Sequence, residues 1–187
     1  MTDIKWADDN LNRYRRQIVV LNKRFPHLIP REINKVGARA KTLVIRTLTK
    51  QTGLPRETIV KAVGNPSQAR PGKLSYDMVT RGGMVRLKFF DPKETAKGVS
   101  AQPFGKRSIF PKTFMEGGKF PDRKEVEKFK GHVMFRNRSK GRHYTFARSE
   151  VAIPVEMTKG QTKAAFVRIA GPLLQIRIEK LIEKNFT

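Results

Sequence analysis

The residue types that most often carry catalysis or bind metals are sparse in this sequence. Its three histidines, His27, His132 and His143, never stand at the helical or turn spacing that a metal-binding pair requires. The chain contains no cysteine, so disulfides, thiolate metal sites and a cysteine nucleophile are excluded. The motifs of zinc proteases, serine hydrolases and phosphate-binding loops do not occur either. We therefore expect no metal site and no cofactor.

Three carboxylates could still converge near the predicted sheet. Asp77, Asp91 and Glu94 are close in sequence, and a metal-dependent nuclease needs two or three carboxylates together. The alternative is an ordinary strand residue at Asp77 and a turn at Asp91-Pro92. Since nothing in their spacing favours catalysis, the sequence predicts a protein that is not an enzyme.

Basic residues are concentrated in two tracts that contain no acidic residue. The first tract consists of Lys35, Arg39, Lys41, Arg46, Lys50 and Arg56. The second consists of Lys128, Lys130, Arg136, Arg138, Lys140, Arg142 and Arg148. Two such tracts can supply contacts to phosphates that do not depend on base sequence. The alternative is that both are ordinary solvated surface.

The candidate contacts with DNA or with an acidic partner are drawn from these tracts. They are Arg39, Arg46, Lys50, Arg136, Arg138, Lys140 and Arg142. No zinc-finger, helix-turn-helix or RNA-recognition pattern accompanies them. The charge therefore indicates attraction to a nucleic-acid backbone or to an acidic protein surface, and not the reading of a base sequence.

The overall charge supports an anionic partner independently of these tracts. Forty lysines and arginines stand against sixteen acidic residues, which gives a formal net charge of +24. Repulsion on this scale opposes compaction unless the charges are spread out or meet a polyanion. The hydrophobic share of 38%, with twelve phenylalanines, nevertheless favours a folded chain.

The order of helix and strand signals along the sequence predicts an α+β fold in a single domain, residues 1–187. These helices and strands must position the residues named above. N-terminal helices occupy 1–63, an antiparallel β-sheet occupies 73–157, and a long C-terminal helix occupies 158–187, with the helices packed on one face of the sheet. A long loop or arm is expected as an insertion at 103–130, which is rich in glycine, proline and charge.

Helix signals divide the N-terminal part into three helices. Asp8, Asp9 or Asn10 could cap a first helix, which Pro26 stops or bends. A second helix begins at Pro30 and ends before Gly53. A short third helix starts near Pro55 and Glu57 and runs to about Val63. Near the C-terminus, Pro172 kinks or divides a helix whose apolar track, including Leu174, is expected to face the core.

Strand signals begin after residue 72. Alternation predicts strands at 74–78 and 84–90, joined as a hairpin through Arg81-Gly82-Gly83. Further strands are expected at 98–102 and 131–137. Pro154 fits the end or edge of a strand, because it has no N–H to donate to a ladder.

The sequence shows neither a signal peptide nor a membrane span. The N-terminal residues MTDIKWADDN lack the basic-then-apolar pattern of a signal peptide, and no apolar run approaches the ~20 residues needed to span a bilayer. We expect a soluble protein made in the cytoplasm, with no membrane partner.

Several short segments, taken with the order of the elements, resemble those of a known family. They are Ala38 to Thr49 in a helix, Phe89-Phe90, Thr113-Phe114, Gly117-Gly118, Gly131-His132, Phe135-Arg136 and Val151 to Met157 before the long C-terminal helix. In these respects residues 30–185 resemble the minor tail protein Z family of tailed bacteriophages, whose members complete the phage tail.

The resemblance implies a structural protein of the virion, made in the host cytoplasm and placed at the head-proximal end of the tail. It implies a homo-oligomeric ring, for which six subunits are expected, beside the channel through which DNA passes. The implied partners are the tail terminator, tail tube, tape-measure and head–tail connector proteins, with non-specific contact to phage DNA. The alternative that the composition leaves open is a stand-alone basic nucleic-acid-binding protein of ribosomal or nucleoid type.

Overall fold

The chain has an α+β fold. The computed structural model describes residues 5–136 and 143–186, with side chains described for 23–136 and 143–185. The helices within these residues are α1 (Lys5–Thr52), α2 (Arg56–Val63), α3 (Ile153–Met157) and α4 (Gly160–Phe186). The strands are β1 (Lys93–Thr95), β2 (Gly98–Ala101), β3 (Ser108–Pro111), β4 (Thr113–Phe114), β5 (Met134–Arg136) and β6 (Tyr144–Phe146).

The residues fall into two compact units. The first unit consists of Met1–Lys41, Asn65–Met78 and Val167–Thr187, and the second of Thr42–Gly64 and Val79–Phe166. Helices α1 and α4 each supply residues to both units.

The first unit is held together by polar and aromatic contacts around α1. The amide of Asn34 donates to the carbonyl of Ala69 at 2.9 Å and accepts from the N–H of the same residue at 2.8 Å. The ring of Tyr76 covers Gly37 so closely that a Cβ there would lie 2.3 Å from the ring. Val36 and Ala40 of the same helix are buried as well.

The second unit contains most of the apolar core. Its fully buried side chains are Val44, Leu48, Leu54, Ile59, Val63, Leu87, Phe90, Val99, Val133 and Val151. Burial of such apolar side chains is the main favourable contribution to folding.

Strands form two three-stranded antiparallel sheets in this second unit. One sheet has the order β1-β2-β3, with Val99 opposite both Glu94 and Phe110. The other has the order β4-β5-β6. Thr113 of β4 joins the two, because its hydroxyl accepts from the N–H of Val99 at 3.0 Å and donates to the carbonyl of Phe110 at 2.6 Å. One sheet was expected, and the short strands form two.

The N-terminal helices differ from the prediction in one respect. Helix α1 runs unbroken from Lys5 to Thr52, through both Pro26 and Pro30, so Asp8 to Asn10 are interior residues and not caps. A proline removes one donor and crowds one carbonyl, but the hydrogen bonds on either side remain. The predicted end is confirmed: Gly53 has φ 74° and its N–H donates to the carbonyl of Thr49 at 3.1 Å. Helix α2 is confirmed as well.

The predicted hairpin over residues 74–90 is wrong. Residues 87–89 form a 3-10 turn, and residues 67–77 form a small loop closed by paired backbone hydrogen bonds between Ser67 and Asp77. Leu87 and Phe90 are both buried, three residues apart. A 3-10 turn places positions three apart on one side, whereas a strand would place them on opposite faces.

Three other expectations are resolved by the structure. Residues 103–130 carry strands β3 and β4 in a segment that was expected to be a long loop. Pro154 lies in the first turn of α3, where its missing N–H costs nothing, and not at a strand edge. Helix α4 continues through Pro172, and the apolar track predicted to be core is only half-buried at Leu174.

Candidate polyanion interface

The stretch that carries most of the candidate contacts forms an antiparallel hairpin. Strands β5 and β6 pair with Met134 opposite Phe146, Phe135 opposite Thr145 and Arg136 opposite Tyr144. Val133, just before β5, is buried and accepts from the N–H of Ala147 at 2.8 Å, which anchors the base of the hairpin. The predicted contacts Arg138, Lys140 and Arg142 belong to the connecting loop and lie outside the described residues.

Arg136 is the predicted contact that the structure places most clearly. It is exposed at the end of β5, and its guanidinium carbon lies 5.8 Å from the centre of the Tyr144 ring. That distance is at the outer limit of a cation–π contact. Because Arg136 forms no ion pair with another described residue, its charge is available to an anionic ligand.

An aromatic cluster stands beside this arginine. The rings of Phe114, Phe129 and Tyr144 meet edge to face, with centroids 5.4 to 5.9 Å apart. Such contacts hold the rings in place beyond what area burial alone provides. Tyr144 remains 46% exposed, so part of its face is open to solvent.

The aromatic cluster lines a pocket of about 300 Å³ whose free charge is positive. Lys112, Arg136, Arg123 and Glu116 are its charged lining residues. Arg123 is engaged by Glu94, which also accepts from the N–H of Met115 at 2.6 Å. Among the described residues, Lys112 and Arg136 therefore outnumber Glu116 as charges without an ion pair at this pocket. An open aromatic ring suits a base, and the nearby cations suit a phosphate.

The three carboxylates considered for catalysis each have a different basic partner. Asp77 pairs with Lys73 at 2.8 Å, and the hydrogen bond from Lys73 lowers the pKa of Asp77. Asp91 pairs with Arg107, and Glu94 pairs with Arg123. Across residues 5–136 and 143–186 there is no cluster of three metal-ligating side chains.

The histidines occupy different environments. His27 and His143 are exposed, whereas His132 is partly buried with its ring 4.8 Å from that of Phe146. Burial lowers the pKa of His132, and the nearby cations Lys88 and Arg86 lower it further. The neutral form is therefore favoured, and the Nδ1 atom has no hydrogen-bond partner among the described residues.

The remaining predicted contacts lie on α1. Arg46 and Lys50 belong to the second unit, are both exposed, and share one helix face because they are four residues apart. Arg39 belongs to the first unit and is also exposed. The structure thus gathers Arg46 with Lys50, and places Arg136 in the aromatic pocket.

The aromatic part of the pocket was not predicted from the sequence. Tyr144 and Phe146 are two residues apart directly after the basic tract, and this alternation is a local signal for a strand with both rings on one face. Phe129 could not have been found in this way, because a 3-10 turn at Glu127–Phe129 brings it to the cluster.

Comparison of the chain with protein-family models, with curated proteins and with solved structures finds no match. Within the described residues, no helix has both the length and the hydrophobicity required to cross a bilayer.

Proposed function

We propose that this chain is a structural virion protein of a tailed bacteriophage, which completes the tail at its head-proximal end and helps to join the tail to the head. The observation that carries the proposal is the exposed Arg136 beside the open ring of Tyr144, at the end of the hairpin next to a connection whose sequence is basic. Such a surface attracts the backbone of DNA moving through a channel, or an acidic neighbouring protein.

A ring of identical subunits around the tail axis is part of this proposal. In a ring each subunit uses one face to bind a different face of the next. Subunits with a net charge of +24 repel one another, so the ring requires DNA or acidic neighbours to offset that repulsion. The tail tube, tail terminator, tape-measure and head–tail connector proteins are the neighbours that this position supplies. The protein would not act as an enzyme.

A stand-alone nucleic-acid-binding protein is the second candidate. The pocket formed by Phe114, Phe129 and Tyr144 beside Arg136 favours it, because stacking on an aromatic ring next to a cation is how many proteins hold single strands.

Binding and oligomeric state distinguish the two candidates. Light scattering on the purified chain gives its mass, and titrations of duplex and single-stranded DNA across a salt series give its affinity and the slope with salt. A tail-completion protein is expected to assemble or to bind free DNA weakly. A monomer that binds single strands tightly would support the second candidate instead.

The contribution of the pocket is tested with Arg136→Gln and Tyr144→Ser. If DNA is contacted there, Arg136→Gln should reduce the slope of log affinity against log salt by about 1, since one phosphate contact is lost. Arg81→Gln removes an exposed arginine outside both basic tracts and should have no such effect. An unchanged slope in Arg136→Gln would remove this residue from the interface.

The position in the particle is tested directly on purified phage that encodes the chain. Antibodies against the chain should label the junction between head and tail, and mass spectrometry should detect it in mature particles. The proposal would be contradicted if mature particles did not contain the chain. It would also be contradicted if heads and tails joined normally when the chain was removed.

A further inference from the structure

A groove in the first unit combines an apolar floor with a basic rim. It has a volume of about 460 Å³ and lies between α1 and α4. The floor is formed by Leu173, Ile176 and Leu181, of which Ile176 is 48% exposed. An isoleucine exposed to this extent in the lining of a groove is a place where an apolar side chain of a ligand gains by burial.

Cations form the rim of this groove. Arg39 of α1 and Lys180 and Lys184 of α4 line it, and all three are exposed. None of the three forms an ion pair with another residue in the described part of the chain. Their charges are therefore not satisfied by the described residues.

The one acidic residue in the lining does not offset this charge. Glu32 is bound by Arg177 at 2.7 Å and by Lys35 at 2.6 Å. The hydrogen bond from Lys35 is the main reason that the pKa of Glu32 is lowered, and burial opposes that shift only in part. Glu32 thus serves to tie α4 to α1, and the groove presents a net positive rim to a ligand.

We infer that this groove binds an acidic amphipathic helix of a partner protein. A helix laid in a groove is held by apolar residues spaced three and four apart. Leu173, Ile176 and Leu181 provide the matching surface for such a row. Lys180 and Lys184 are one helical turn apart, about 6 Å along α4, which matches two carboxylates at the same spacing on the ligand.

Charge and chemistry favour this ligand over other occupants. The backbone of DNA would use the cations but gains nothing from the exposed face of Ile176. A second copy of this chain carries forty basic and sixteen acidic residues and would meet the rim with like charge. The inference goes beyond the proposed role in the phage tail, because it rests on the groove alone and would stand in a protein of another function.

The test uses the full chain and two labelled synthetic peptides that share the same number of glutamates. One peptide has leucines on one helical face, and the other has serines in their place. Fluorescence anisotropy should show the leucine peptide binding about tenfold more tightly at physiological salt, since only it can use the floor. Equal affinity of the two peptides would mean attraction by charge alone and would overturn the inference.

Two variants with matched controls localise the binding. Lys180→Glu with Lys184→Glu should weaken binding of the leucine peptide about tenfold or more, whereas Lys163→Glu with Arg168→Glu makes the same change of charge on α4 outside the groove and should weaken it far less. Ile176→Ser should abolish the preference for leucine, and Ile182→Ser, an exposed isoleucine of α4 outside the groove, should leave it intact.

Equal effects of a variant and its control would overturn the inference, provided that melting curves show all four to be folded. The inference would also be overturned if the groove variants lost affinity for duplex DNA and kept their affinity for the peptide. The groove would then be a nucleic-acid contact. A change of oligomeric mass in Ile176→Ser would assign the groove to a second copy of the chain and would also overturn it.

Discussion

The side chain of Gln51, near the end of α1, caps the start of α4 by accepting from both the N–H and the hydroxyl of Thr162, at 3.0 and 2.9 Å. The amide group of Gln51 also donates to the carboxylate of Glu156 at 2.7 Å. Thr162 and Glu156 are both buried, so no water replaces these bonds easily. One neutral side chain thus satisfies a helix N–H and a buried carboxylate at once.

Gln51→Glu should destabilise the protein by about 1–3 kcal/mol at neutral pH, because the new carboxylate would face that of Glu156 and the donor would be lost. The loss should shrink in acid, where the carboxylate introduced at position 51 takes up a proton. Urea unfolding at two pH values measures it. Gln161→Glu, an exposed position, is the control and should be close to wild type at both pH values.

Gly98→Ala should be among the most damaging single-methyl additions in this chain. Gly98 has φ 136°, and a Cβ would stand 2.2 Å from the carbonyl oxygen of Phe110 on the paired strand β3. We expect a loss of about 3 kcal/mol or failure to fold.

Gly72→Ala is the control that distinguishes the steric clash at Gly98 from the strain of a positive φ. Gly72 also has a positive φ, 83°, but no atom of the described residues lies within 4 Å of the added carbon. Its melting temperature should fall by much less than that of Gly98→Ala. Equal losses in the two variants would show that the close approach of β3 is unimportant.

His132 should make stability depend on pH just below neutrality. Its pKa in the folded state lies below the ordinary value of 6.5, so the unfolded chain binds the proton more readily. The stability present above that value is therefore lost as pH falls through 6.5 towards the lowered pKa. Melting curves at about pH 7.5 and 5.5 should differ in the wild type, and differ less in His132→Phe. His27→Gln, at an exposed site, should keep the wild-type difference.

Leu48→Ala should cost about 2–5 kcal/mol, because Leu48 has no exposed surface and its removal leaves a cavity. Leu174→Ala makes the same chemical change on the half-buried track of α4 and should cost about 1 kcal/mol. Chemical denaturation compares the two. If Leu174→Ala were the more damaging, the sequence-based assignment of this track to the core would be right after all.

Much of the fold was predictable where a signal lies within a few neighbouring residues. Gly53 ends α1 because only glycine takes a positive φ there at little cost, and α2 follows at the predicted place. The strand at 98–101 was also predicted. The prediction of a hairpin at 74–90 was wrong because an alternating pattern does not specify which segment pairs with the strand. Leu87 and Phe90 are buried through a 3-10 turn instead.

The candidate site shows the same division. Arg136 was predicted from an acid-free tract, but its neighbour Tyr144 and the rings of Phe114 and Phe129 come together only through strand pairing and a 3-10 turn. The predicted contacts in the loop, Arg138, Lys140 and Arg142, remain predictions.

The sequence by itself determined the excess of positive charge, the lack of cysteine, the α+β class, the end of α1 at Gly53 and the position of α2, since each depends on composition or on adjacent residues. Only the tertiary structure decided that Asp91 and Glu94 are each bound to arginine, that Gln51 caps α4, and that Ile176 stays exposed in the lining of a groove with a basic rim. These depend on residues far apart in the chain, and no local preference specifies which of many possible partners a side chain will contact.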